Sequence, residues 1–115
     1  MPVILCVDDE VNPLTIRKYV LQKAGYEVLT ADSAGRALEI IAVTHIDLII
    51  ADHLMPGMTG AELLAQVKQI HPTVPFLLLS GVNDLPAGAE LADGFLSKVE
   101  GPEAMIATIR RLLKA

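Results

Sequence analysis

Five short apolar runs alternate along the chain with segments whose apolar residues recur every three or four positions. Each run is about as long as a β-strand, and polar or glycine-containing sequence separates it from the next segment. This alternation predicts a doubly wound α/β domain with one five-stranded parallel sheet. The predicted strands are residues 3–7, 26–31, 46–51, 74–79 and 94–97.

The helical segments give a flavodoxin-like (βα)5 order, with one weak member. Predicted helices cover residues 13–24, 34–43, 60–70 and 102–114. In the first, Asn12 is the predicted N-cap, Pro13 the first helical residue and Gly25 the residue that ends the helix. Ile16 is placed beside the apolar stripe of the first helix, and Ile70 is placed on the inward face of the third. Between the fourth and fifth strands the pattern is weak, so we expect a fourth helix that is shortened or irregular.

Size and composition bound the class of protein. The 115 residues predict a single domain over 1–115, with no effector domain in this chain. Its 52% hydrophobic content fits strands buried on both faces, since no apolar run approaches the ~20 residues of a membrane span. The lone Cys6 excludes an internal disulfide and fits a reducing, cytoplasmic location. A net charge of −5 without a basic cluster argues against direct nucleic-acid binding.

Three aspartates follow predicted strands. Asp8 and Asp9 come directly after the first strand, and Asp52 comes directly after the third. Because the carboxyl ends of parallel strands meet at one edge of a sheet, we expect the three carboxylates to converge. Their mutual repulsion favours a bound cation, and oxygen ligands alone favour a hard cation such as Mg²⁺.

Two further polar residues follow strands at the same edge. Ser80 ends the fourth apolar run, and Lys98 follows the fifth. Two carboxylates can hold a divalent cation while a third attacks phosphorus as a nucleophile. The metal and the Lys98 ammonium would neutralise the phosphoryl oxygens, and the Ser80 hydroxyl would donate to one of them. This inventory predicts carboxylate phosphorylation.

These motifs together resemble the response-regulator receiver domains (CheY-like) of two-component signal transduction. The carriers of the resemblance are the acidic segment Val7-Asp8-Asp9-Glu10, the loop of residues 52–60 with Met55-Pro56, the pair Ser80-Gly81, and Lys98. The resemblance implies that a histidine kinase or a histidine phosphotransfer protein phosphorylates Asp52. It further implies Mg²⁺ ligation by Asp9, Asp52 and the Leu54 backbone carbonyl, with Asp8 acting through water, and a switch formed by Ser80 and Phe95.

The sequence departs from the family in three places. Val99 stands where a proline usually follows the lysine, which leaves either a trans bond with a repositioned Lys98 or a strained cis bond. The segment between Ser80 and Lys98 is shorter than usual, which suggests an unusual output surface. Leu54 and Val82, at positions that control access to the phosphoryl group, are both apolar. We therefore expect slow autodephosphorylation and no other enzymatic activity.

Two other functions remain open. A receiver-like interaction module could act through a fixed surface without phosphorylation, which Val99 and the short fourth helix favour. A small phosphatase with an aspartyl nucleophile would use Asp8 and Glu10, but it would lack a cap domain and leave Asp52 without a role. A phosphorylatable receiver uses every polar residue at the edge, and its downstream partner is not encoded in these motifs.

Overall fold

The computed structural model describes residues 1–81 and 86–114. Their strands form one parallel sheet in the order β2-β1-β3-β4-β5, which confirms the doubly wound α/β fold. The strands are β1 Val3–Val7, β2 Glu27–Ala31, β3 Leu48–Asp52, β4 Phe76–Ser80 and β5 Gly94–Ser97. The helices are α1 Val11–Lys23, α2 Ala34–Val43, α3 Gly60–Ile70 and α4 Pro102–Lys114.

Two apolar cores lie on opposite faces of the sheet. Alternate residues of each strand point to opposite faces, so Leu5 joins the core beneath α2 and α3, whereas Ile4 and Cys6 join the core beneath α1 and α4. Burial raises the pKa of the Cys6 thiol to about 12, with nearby Asp8 acting in the same direction and Arg17 opposing it. Two-sided burial explains the high hydrophobic content without a membrane segment.

Helix α1 begins two residues earlier than the sequence predicts. Glu10, rather than Asn12, occupies the N-cap position, and its carbonyl accepts the first helical hydrogen bond from Leu14 N–H at 3.2 Å. Asp8 Oδ1 accepts from Glu10 N–H at 3.0 Å, and this local turn brings the chain into the helix early. Pro13 therefore lies inside the first turn, where its missing N–H leaves no hydrogen bond unmade.

The end of α1 agrees with the sequence, but Ile16 and Ile70 are more exposed than the apolar pattern predicts. Gly25 follows the helix with φ at +99°, the left-handed conformation that glycine adopts at little cost. The Ile16 side chain is 64% exposed, because it lies about 200° around the helix from buried Leu14. Ile70, the last residue of α3, is 58% exposed.

The connection between β4 and β5 is abbreviated, as expected. Its described part, residues 86–93, contains one turn of 3₁₀ helix at Ala89–Leu91. The Ala89 side chain is buried in the core beneath α2 and α3, which ties this turn to the sheet. The expectation of a short, irregular fourth helix is confirmed for this part of the segment.

Candidate functional site

Three carboxylates meet at the carboxyl edge of the sheet. Asp8 follows β1 and Asp52 ends β3, and these strands are paired neighbours. One oxygen from each of Asp8, Asp9 and Asp52 lies within 4.8 Å of the others. Asp8 and Asp52 are almost completely buried, whereas Asp9 reaches solvent. The edge therefore concentrates negative charge where little water is available to screen it.

The two oxygens of Asp52 have different surroundings. Oδ2 accepts a hydrogen bond from Lys98 Nζ at 2.7 Å. Oδ1 is buried and has no hydrogen-bond partner among the described residues. A buried carboxylate oxygen without a partner is costly, and a bound cation or an incoming electrophile removes that cost. Mg²⁺ fits this site because the clustered ligands are all carboxylate oxygens.

The buried carboxylate of Asp8 pairs with a residue that the sequence analysis did not identify. Arg17 Nη1 lies 3.4 Å from Asp8 Oδ2, and the Arg17 side chain is only 10% exposed. A signal was present in the sequence. Arg17 follows Leu14 by three positions and precedes Leu21 by four, so it shares the buried face of α1.

A tight turn after β5 holds Lys98 against Asp52. Lys98 N–H donates to Ser80 O at 2.7 Å, and Glu100 N–H donates to Ser97 O at 3.0 Å. The Ser97 hydroxyl accepts from Val99 N–H at 3.3 Å, and Glu100 Oε2 accepts from Ser97 N–H at 3.0 Å. The described residues contain no cis peptide bond, so the Lys98–Val99 bond is trans. Lys98 reaches the acidic cluster without the proline.

The fold and this edge can be compared with known proteins. A family model described as the response regulator receiver domain matches residues 4–110. The chain belongs to this family. The receiver is 33% identical over 115 residues to the alkaline phosphatase synthesis transcriptional regulatory protein PhoP of Bacillus subtilis, which covers 96% of this chain and 48% of PhoP. It thus spans about half the length of the curated relatives that it matches first.

Solved structures agree with the receiver over almost its whole length. A receiver domain protein from Clostridium thermocellum superposes with a TM-score of 0.92 and 32% identity, covering 99% of this chain and 95% of that one. The response regulator TrrA of Thermotoga maritima was solved in complex with Mg²⁺-BeF. It superposes with a TM-score of 0.93 and 29% identity, covering 97% of this chain and 99% of that one. In the described part of the receiver, no helix combines the length and apolar character needed to cross a membrane.

The remaining predicted residues of the receiver differ in their burial. Ser80 ends β4 next to the β3 strand that carries Asp52, and its side chain is 1% exposed. Phe95 in β5 packs, partly buried, against the core beneath α2 and α3. Leu54, two residues after Asp52, is 65% exposed. Val82 lies outside the described residues.

The loop after Asp52 is fastened to the start of α3. Gly60 N–H donates to His53 O at 2.9 Å, and a Cβ atom at Gly60 would overlap the carbonyl oxygen of Asp52 and the backbone of His53. Thr59 and Glu62 form a capping box, and the Thr59 backbone N–H lowers the pKa of the Glu62 carboxyl. The first residue of α3 therefore packs closely against the backbone of Asp52 and His53.

Proposed function

We propose that this receiver accepts a phosphoryl group on Asp52 from the phosphohistidine of a histidine kinase or a histidine phosphotransfer protein, with Mg²⁺ as cofactor. The observation that carries the proposal is the asymmetry of Asp52. One oxygen is held by Lys98, and the other is buried among carboxylates without a hydrogen-bond partner in the described chain. This oxygen is the nucleophile.

The transfer forms a bond between Asp52 Oδ1 and phosphorus while the phosphorus–nitrogen bond of the donor histidine breaks. The Lys98 ammonium stays beside Asp52 and balances charge on the phosphoryl oxygens, while the buried Ser80 hydroxyl donates to one of them. We assign metal binding to Asp9, Asp52 and the Leu54 carbonyl, with Asp8 acting through water. Mg²⁺, when bound there, supplies positive charge to the transferring group.

Two further roles belong to this proposal. Ser80 and Phe95 form the switch that reports phosphorylation to a downstream protein of unknown identity. Dephosphorylation is slow, because the apolar Leu54 side chain cannot orient an attacking water, and Val82 is also apolar. No other enzymatic activity is proposed, and the location is cytoplasmic. The TrrA complex with Mg²⁺-BeF supports Mg²⁺ as the cation.

The competing function is a receiver-like interaction module that works without phosphorylation. The absence of a proline after Lys98 favours this module, because a displaced lysine would impair phosphoryl transfer. Lys98 Nζ instead lies 2.7 Å from Asp52 Oδ2 with the following peptide bond trans. This contact supports the phosphorylated receiver over the fixed module.

Phosphorylation is tested by incubating the protein with acetyl phosphate and Mg²⁺ and measuring its intact mass. We expect a gain of one phosphoryl group in the wild type, no gain in Asp52→Asn, and strong slowing in Asp9→Asn or with EDTA. Asp93→Asn makes the same chemical change at the opposite edge of the sheet and should retain the gain. A wild type that gains no mass under any of these conditions would favour the fixed module.

A further inference from the structure

Helix α1 brings a guanidinium to the acidic cluster. Arg17 Nη1 lies 3.4 Å from Asp8 Oδ2; Asp8 is fully buried and the Arg17 side chain is 10% exposed. A charged side chain at such depth needs a partner, and Asp8 is the acid that the structure gives it. Arg17 thus contacts Asp8, one of the three carboxylates of the cluster.

Arg17 changes the charge that a cation meets at this edge. Among the described residues, Lys98 pairs with Asp52 and Arg17 pairs with Asp8, while Asp9 makes no ion pair. Two positive charges therefore oppose three carboxylates. A divalent cation is repelled by a nearby guanidinium as surely as it is attracted by each carboxylate, and burial limits the screening of both effects.

The Arg17–Asp8 contact is loose. Its 3.4 Å separation exceeds the 2.7 Å of the Lys98–Asp52 contact and the ~2.8 Å of a good charge-assisted hydrogen bond. Arg17 also lines a cavity of about 430 Å³ between α1 and α4, walled by apolar residues such as Val20, Leu96 and Met105. The guanidinium is therefore an electrostatic neighbour with room to withdraw.

We propose that Arg17 is an internal counter-ion of the metal site, which compensates Asp8 in the metal-free protein and weakens Mg²⁺ binding about tenfold. The role rests on the proposed function, because it concerns the cation on which phosphorylation depends. Arg17 acts through Asp8 and is a positioning residue. It sets the Mg²⁺ concentration at which the receiver becomes competent to accept a phosphoryl group.

Mg²⁺ binding to the unphosphorylated protein tests this role without any measurement of activity. Isothermal titration calorimetry would compare the wild type with Arg17→Met, Arg17→Lys and Lys18→Met. Lys18 is the next residue on α1 and makes no ion pair among the described residues, so Lys18→Met removes the same charge elsewhere. We expect about tenfold tighter binding in Arg17→Met, and changes within about twofold in Arg17→Lys and Lys18→Met.

Unfolding in EDTA gives a second readout. Arg17→Met leaves Asp8 buried without its cation, so it should unfold at lower denaturant than the wild type and regain more stability when Mg²⁺ is added. Should Arg17→Met not fold without metal, Arg17→Gln keeps a donor to Asp8 without the charge and should also bind Mg²⁺ about tenfold more tightly.

The outcomes separate this inference from the proposed function. The wild type could bind Mg²⁺ while the uncharged Arg17 variants bind it equally or more weakly. That result would overturn the counter-ion role and leave the proposed phosphorylation of Asp52 intact. Equal tightening in Lys18→Met would assign the effect to net charge and overturn the role as well. An absence of Mg²⁺ binding in the wild type and all variants would count against both proposals.

Discussion

Aspartates at the two edges of the sheet are used in different ways. At the amino edge, Asp47 precedes β3 and Asp93 precedes β5. Asp47 Oδ2 accepts from Val3 N–H at 2.7 Å, and Asp93 Oδ2 accepts from Phe76 N–H at 2.8 Å. Each carboxylate thus fastens its own strand to a neighbouring one. At the carboxyl edge, the buried Asp52 holds no neighbouring strand and keeps an oxygen without a partner in the described chain.

The side chains that contact the aspartates at the two edges also differ. Asp93 pairs with Lys68 at 2.6 Å, and Lys68 also donates to the carbonyl of Val74 at 2.9 Å, so the network joins α3 to the starts of β4 and β5. Asp47 pairs with His45 at 2.8 Å. At the carboxyl edge, Arg17 pairs with Asp8 and Lys98 pairs with Asp52, and one oxygen of each of these two carboxylates lies within 4.8 Å of the other and of Asp9. The buried Oδ1 of Asp52, which has no partner among the described residues, therefore distinguishes this carboxylate from those that stabilise the fold.

The largest expected effect on stability is at Asp93. Asp93→Ala removes the acceptor of the buried Phe76 N–H and the partner of Lys68, and it should lower the free energy of unfolding by about 2–3 kcal/mol. Asp93→Asn keeps an acceptor and should lose about half as much. Urea unfolding at neutral pH measures both, and intact-mass phosphorylation should be preserved in each. An unchanged urea midpoint in Asp93→Ala would show that the amino edge does not stabilise the fold.

At the carboxyl edge, replacing an aspartate with asparagine should stabilise the protein rather than destabilise it. Asp52→Asn removes one charge from a crowded cluster and replaces it with an amide that can donate to Asp8 or Asp9, whereas Lys98, 29% exposed, can turn toward solvent. We expect its free energy of unfolding in EDTA to rise by about 1 kcal/mol. Destabilisation by Asp52→Asn equal to that by Asp93→Asn would erase the distinction between the edges.

Much of the fold and the convergence of the three aspartates could be predicted from the sequence. Continuous apolar runs mark strands buried on both faces, and a parallel sheet brings the ends of neighbouring strands together. This logic places Asp8, Asp9 and Asp52 at one edge without any knowledge of side-chain contacts. It gives no account of which oxygen is satisfied, because that depends on rotamers and on neighbours distant in sequence.

The features missed by the sequence analysis are local hydrogen bonds and long-range pairs. The start of α1 depends on one bond from Glu10 N–H to Asp8, which competes with the N-cap preference of Asn12. Arg17 was not identified from the sequence, although its phase on α1 is that of buried leucines. The turn that aims Lys98 has no periodic pattern and rests on Ser97 and Glu100.

A substitution in the turn of residues 97–100 should have a smaller effect at the carboxyl edge. Glu100→Ala removes the acceptor of Ser97 N–H and loosens the turn that carries Lys98, so phosphorylation of Asp52 should slow by about threefold to fivefold. Stability should change by no more than about 0.5 kcal/mol, because Glu100 is exposed. Glu100→Gln keeps an acceptor and should retain the wild-type rate from acetyl phosphate. Equal slowing in both variants would point to the charge of Glu100 rather than to its hydrogen bond.

The smallest expected effect is the pH dependence of the amino edge. The hydrogen bond from Val3 N–H lowers the pKa of the Asp47 carboxyl below its usual value of 3.8, while burial opposes this shift and the neighbouring His45 adds to it. A lowered folded-state pKa means that the ionised Asp47 stabilises the protein above the unfolded-state pKa, and that this contribution is lost as the pH falls through the folded-state value. Asp47→Asn should therefore cost less than about 1 kcal/mol at neutral pH and reduce the loss of stability below about pH 4. Urea midpoints between about pH 3 and pH 6 measure this slope. Glu62→Gln serves as a reference, because the pKa of the Glu62 carboxyl is also lowered. An Asp47→Asn curve parallel to that of the wild type would mean that the Val3–Asp47 bond contributes equally whether or not the carboxyl is ionised.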